Sequence, residues 1–175
     1  MNQGADSSPV VPAPATPGAI LRWLGVSRPQ LLRGALGGAT LGVVAAAAWF
    51  AVVAGTTQKQ AYLIPVVGAA TAYGVHKGMK GHGRAHAVLS VTMTAIFVLI
   101  TMYYVERLLV VRWFAANGDR LAIPLIPYLD WFWSVLRRAF TGTVSSALYA
   151  VFGVLAAGWL GHQGFEAPPA RQHDA

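Results

Sequence analysis

The residues of this chain best suited to chemistry gather in the stretch His76-Lys-Gly-Met-Lys-Gly-His-Gly-Arg-Ala-His86. Here Lys77, Lys80 and Arg84 stand among His76, His82 and His86, a set that could meet a phosphate on a lipid or another ligand. Each base near an anionic membrane surface contributes about 1 kcal/mol. Gly78-x-x-Gly81-x-Gly83 superficially resembles a phosphate cradle. A dinucleotide fingerprint, however, follows a strand and opens a helix within a βαβ unit. This one follows an apolar helix, and no Gly-Lys-Ser or Gly-Lys-Thr accompanies it. Two readings stand: a flexible, topology-setting turn that touches anionic headgroups, or a site that recognises a phosphate-bearing ligand.

Other residues offer weaker chemistry. His76, His82, His86 and His162 could ligate a metal or haem iron. No carboxylate stands beside them as ligand or orienter, and their spacing fits no strong metal pattern, so neither metal nor cofactor is expected. Glu106 and Arg107 form the only charge pair inside an apolar run. A buried acid in a span often marks an ion path, but this one lies so far along its helix that the outer headgroups are its expected level. A serine hydrolase needs Ser and His within hydrogen-bond reach. Ser146 and His162 would lie about 24 Å apart along one helix, so no catalytic residue is assigned.

The elements that position these groups belong to a bilayer. Of 175 residues, 55% are hydrophobic and 11% charged, against about 25% charged in soluble domains. The chain has no cysteine, which excludes disulfides, thiolate metal sites and Cys nucleophiles. Its net charge of +7 is spread over flanks and loops between apolar runs, a distribution suited to topology and lipid contact rather than nucleic acid.

Read in order, Met1 to Gly18 is rich in Pro, Ala and Ser, lacks the basic start of a signal peptide, and reads as a disordered tail. Residues 19–34 read as an interfacial segment, with Ser27 and Gln30 as a capping box that starts a helix near Arg28. The membrane domain, 35–161, is expected to be all-α, with spans at about 35–54, 61–76, 87–111 and 143–160. An amphipathic helix over about 124–140 is expected in the interface, with Ile126, Leu129, Trp133, Leu136 and Phe140 on one face and Asp130, Ser134, Arg137 and Arg138 opposite. Residues 162–175 read as a second disordered tail.

Small residues recur along the spans: Gly34, Gly38 and Gly42 in the first; Gly68, Gly74 and Gly78 in or beside the second; Gly142, Ser146, Gly153 and Gly161 in or beside the last. Such rows let helices approach closely in lipid, within one chain or between chains. Four spans place both termini on one side. Arg22, Arg28, Arg33, Lys77, Lys80, Arg84 and Arg171 then face Lys59, Arg107, Arg112, Arg120, Arg137 and Arg138, and the dense central loop favours cytoplasmic termini.

Trp49-Phe50, a short turn, the run Ala61 to Arg84 and an apolar helix ending Tyr103-Tyr104 together resemble a group of uncharacterised bacterial four-span membrane proteins. In that group a Gly-x-x-x-x-Gly span leads into a basic, glycine-rich cytoplasmic turn, often beside a fused zinc ribbon. The similarity covers about residues 36–106. It implies a four-helix membrane domain and transfers neither a catalytic residue nor, without cysteine, a zinc module.

These readings converge on a multi-pass inner-membrane protein in contact with lipid, a non-catalytic structural or accessory subunit packing against itself or a larger membrane complex. A small transport or ion-permeation component and a histidine-ligated metal or haem protein are the alternatives.

Overall fold

The computed structural model describes residues 25–118, 129–141 and 144–165, which form helices and short connections, with no strand among them. Helix α1 spans Arg28–Thr56, a 3-10 turn Ala61–Leu63 leads into α2 at Ile64–Met79, and α3 spans Arg84–Ala116. Helix α4 covers Leu129–Thr141 and α5 Val144–Gln163. Three of these, α1, α3 and α5, are long and apolar enough to cross a membrane.

Local chemistry sets most helix ends. The backbone N–H and hydroxyl of Ser27 both donate to Gln30 Oε1, at 3.1 and 2.9 Å, and Pro29 sits in the first turn where its missing donor is harmless. α1 therefore begins well before the span expected from Ala35, and the second half of the expected interfacial segment forms its first turns. It stops where Thr57 turns left-handed and donates its N–H to Val53 O. α3 runs on past Val111 to the Asn117-Gly118 turn, where Gly118 takes a positive φ of 82°. α5 continues to Gln163, so His162 is helical rather than part of a tail. The expected tail 1–18, Gly142 and Ile126 lie outside the described residues.

α2 and α3 form the centre of the bundle, with α1 and α5 packed on both of them. Glycine decides how close these helices come. A Cβ on Gly74 would collide with the carbonyl oxygen of Gly37, and one on Gly78 with that of Arg33. On the other side of α2, Gly68 meets the carbonyl of Gly153, which itself lies against Ile64. Gly34, Gly38 and Gly42 face Met79, Val75 and Thr71 of α2 and Leu89, Met93 and Phe97 of α3. The glycine rows thus meet helices of their own chain.

The apolar core joins all five helices: Trp49 and Val53, Ile64 and Val67, Val98, Met102 and Val105, Ala139 and Ala150. α4 lies on α3 through Val135 and Leu136, which pack with Tyr103. Its inward stripe is Phe132, Val135, Leu136, Ala139 and Phe140, whereas Trp133 is 59% exposed. Of the expected apolar face, Leu136 and Phe140 pack against the protein, while Trp133 is left outward.

Substituting Gly74→Ala should destabilise the bundle by about 2–3 kcal/mol, since a backbone carbonyl cannot move aside as a side chain can. Gly55→Ala, in open space at the end of α1, should leave melting unchanged. Thermal melts of the two purified variants in one detergent make the comparison; equal melting temperatures would contradict this packing.

Candidate functional site

Polar groups collect at the two ends of the bundle. At the first end, the reversal from α2 to α3 takes only Lys80 to Gly83. Lys80 closes α2 from the left-handed region, φ 53°, donating its N–H to His76 O at 2.9 Å. Gly81 and Gly83 have φ of 155° and 122°, where a side chain would be strained. The turn is then tied down from two sides. His76 Nδ1 lies 2.7 Å from Gly81 O, and because a carbonyl only accepts, Nδ1 carries the proton. The N–H of Gly83 donates to Gly161 O of α5 at 3.3 Å.

The chain beyond α5 folds over the same place. Phe165 meets Tyr73 edge-on with ring centres 5.2 Å apart and lies 5.5 Å from the His76 ring. Lys77 Nζ sits 5.4 Å from the centre of the Tyr73 ring, a cation over an aromatic face. His76, Lys77, Lys80, Gly81 and His82 surround an open recess of about 480 Å³. The basic stretch is thus a turn joined to both α2 and α5. Arg84 and His162 are exposed at this end, and His86 is buried on α3.

Below the turn, His86 Nε2, Ser90 Oγ and Thr94 Oγ1 follow one another every fourth residue along α3, buried and without hydrogen-bond partners. Gly161 makes room for the His86 carbonyl and the Ser90 hydroxyl, and Gly68 for the Thr94 methyl. Thr71 beside them instead donates to Val67 O of its own helix at 2.7 Å.

The second end is organised by Lys59, a residue that sequence reading leaves in a polar turn. Its ammonium pairs with the Glu106 carboxylate and donates to Ala139 O at 2.7 Å. Glu106 is 8% exposed, buried against the neighbouring helices, and Lys59 holds it. Ala139 carries one of the last carbonyls of α4, which has no partner within its helix. A single cation thus neutralises α3 and caps α4, where the helix dipole favours positive charge. Arg112 does the same for α1, donating to Ala54 O at 2.7 Å. Beside the pair, Glu106, Leu109, Val110, Trp113 and Arg138 line a cleft of about 190 Å³.

The structure keeps other candidates apart. Ser146 lies in the first turn of α5, while His86 packs beside Gly161 at its far end. Among the described residues no group of three His, Asp or Glu side chains is placed to hold a metal. Helix-end carbonyls whose partners sit across the fold, as with Lys59 and Arg112, leave no local trace in a sequence. The surplus of bases near the ends of apolar runs was the one available signal.

Glu106→Leu strands the Lys59 ammonium and should destabilise the protein by about 3 kcal/mol. Lys59→Met with Glu106→Leu should recover much of that loss, because two apolar groups leave no orphaned charge. Denaturant unfolding of the wild type, both single variants and the double variant yields the coupling; additive losses would rule out a direct pair. No family model, curated protein or solved structure matches the chain, so its function is read from the geometry at these two ends.

Proposed function

We propose that this chain is a four-span protein of the bacterial inner membrane, with both termini in the cytoplasm and a structural or accessory role rather than a catalytic one. The fourth crossing is α2. Its 16 residues give about 24 Å, and the 3-10 turn before it adds about 6 Å, which together match the hydrocarbon thickness of about 30 Å. Backbone-close contact with α1 and α5 supports placing it at the same depth as those longer helices. α4, short and two-faced, belongs to the outer interface.

Charge supports the orientation. Arg28, Arg33, Lys77, Lys80 and Arg84 mark the first end, where no Asp or Glu occurs among the described residues. At the second end Glu106 neutralises Lys59, and Asp130 lies on α4. Lys59, Arg107, Arg112, Arg137 and Arg138 stand at the second end, so the bases among the described residues divide evenly. What supports the orientation is their density at the first end, where Lys77, Lys80 and Arg84 crowd one short turn, the arrangement favoured on the cytoplasmic side.

One observation carries the non-catalytic reading: Lys59, Glu106 and Arg112 at the second end are occupied in fastening helices together. Lys59 joins α3 to α4, and Arg112 joins α3 to α1. Partners in this reading meet the outward apolar faces, such as Leu148, Val151, Phe152, Leu155 and Trp159 of α5, since the glycine rows are used within the chain.

The absence of cysteine makes the topology directly testable. Single cysteines at Gln58 and His82 should react with an impermeant maleimide from opposite sides, Gln58 from outside; labelling from one side would end the four-span reading. Native mass spectrometry of protein extracted from its own membranes should show added protein mass, and a bare monomer would count against the accessory role. The buried Lys59–Glu106 pair favours ion permeation as a second reading, which requires Glu106→Gln to change flux in proteoliposomes.

A further inference from the structure

We propose that the recess between the end of α2 and the turn Lys80 to Gly83 binds a single phosphate ester. The proposal deepens the membrane reading above and rests on it only for the leaflet from which a lipid headgroup would enter. Three features of the recess converge on this ligand.

The first is size. At about 480 Å³ the recess falls within the range of small-ligand sites, about 300–1,000 Å³. The second is charge. Lys77 and Lys80 stand on its wall, and no carboxylate occurs at this end among the described residues. Ammonium groups are compact point charges with several donors, suited to an oxyanion approached from more than one direction.

The third feature is rigidity. Lys80 N–H to His76 O, His76 Nδ1 to Gly81 O and Gly83 N–H to Gly161 O fix the turn to α2 and α5, while Phe165 backs Tyr73 and His76. A wall already ordered loses little freedom when a ligand arrives. The Lys77 ammonium lies over the Tyr73 ring at the rim.

The same chemistry is offered by the headgroup of an anionic phospholipid and by a soluble phosphate ester, and the test separates them. Full-length protein in dodecyl maltoside is titrated with phosphatidylglycerol and followed by native mass spectrometry, with phosphatidylcholine as the zwitterionic reference. One phosphatidylglycerol per chain should be retained. Lys77→Gln with Lys80→Gln should weaken it about thirtyfold, the consequence of removing two bases worth about 1 kcal/mol each. Lys77→Arg with Lys80→Arg should keep it. Arg137→Gln with Arg138→Gln, an equal charge change on exposed side chains of α4, should alter it by less than about twofold.

Displacement of the lipid by millimolar glycerol 3-phosphate would assign the site to soluble phosphate esters; resistance would assign it to the lipid headgroup. Unchanged retention in the double Gln variant, or equal retention of phosphatidylcholine, would overturn the proposal. Lys80→Gln alone, at an exposed position, provides the same comparison if the double variant does not fold. Cysteine labelling decides the four-span topology separately, so loss of this site would leave that reading standing.

Discussion

The fold depends on backbone meeting backbone along both sides of α2. Lipid is as apolar as leucine, so helices in a bilayer gain little from hiding side chains and are held by close packing. α2 is the shortest helix of the central group, and it is seated by Gly74 and Gly78 against the carbonyls of Gly37 and Arg33, and by Gly68 against that of Gly153. Contacts of this kind fix the register of three helices at once. Both polar ends inherit their geometry from it: Lys59 lies just before α2 and the basic turn just after, so sliding α2 by one turn would remove Lys59 from Glu106 and the turn from Gly161.

The ends use charge differently. At the end bearing Lys59, cations are spent on the carbonyls that helix termini leave without partners, one from α4 and one from α1. This draws positive charge inward and couples α4 to the core through a carboxylate on α3. At the opposite end the equivalent problem is solved by backbone and glycine: Lys80 N–H closes α2, and Gly83 N–H takes up the carbonyl of Gly161 near the end of α5. The lysines there remain exposed because the helix ends do not require them. Their availability to an outside anion follows from the way the chain satisfies its own backbone.

What the sequence revealed was local. The Ser27 and Gln30 cap, the Asn117-Gly118 turn and the long apolar helices each depend on residues a few positions apart, and each is found where such spacing puts it. The all-α class followed from composition. The ion pair was not legible, because Lys59 and Glu106 are separated by two helices and either could have met headgroups instead. Nor was the part of α4 that packs on the protein: Val135 and Leu136 meet Tyr103 on another helix, which no spacing within α4 announces. The basic turn was visible as composition, whereas its attachment to α5 was not, since glycine density reads equally as flexibility or as close approach.

Between the two ends lies a layer that bears on any permeation. His86, Ser90 and Thr94 bring polar atoms from the basic turn toward the middle of α3. One turn further, Val98, Met102 and Val105 meet Trp49, Val53, Ile64 and Val67 in the apolar core. Thr101 belongs to a different surface, the groove between α1 and α3 with Val43, Ala46 and Phe50, and does not continue the line. An ion moving from the turn to Glu106 would have to part α1 from α2 and α3, undoing the contacts of Trp49 and Val53 in which α1 closes the core. Seated glycine contacts resist that separation, because a small displacement forfeits much of the dispersion energy between close backbones. The closed apolar layer thus separates the polar line that descends from the basic turn from the pair of Lys59 and Glu106.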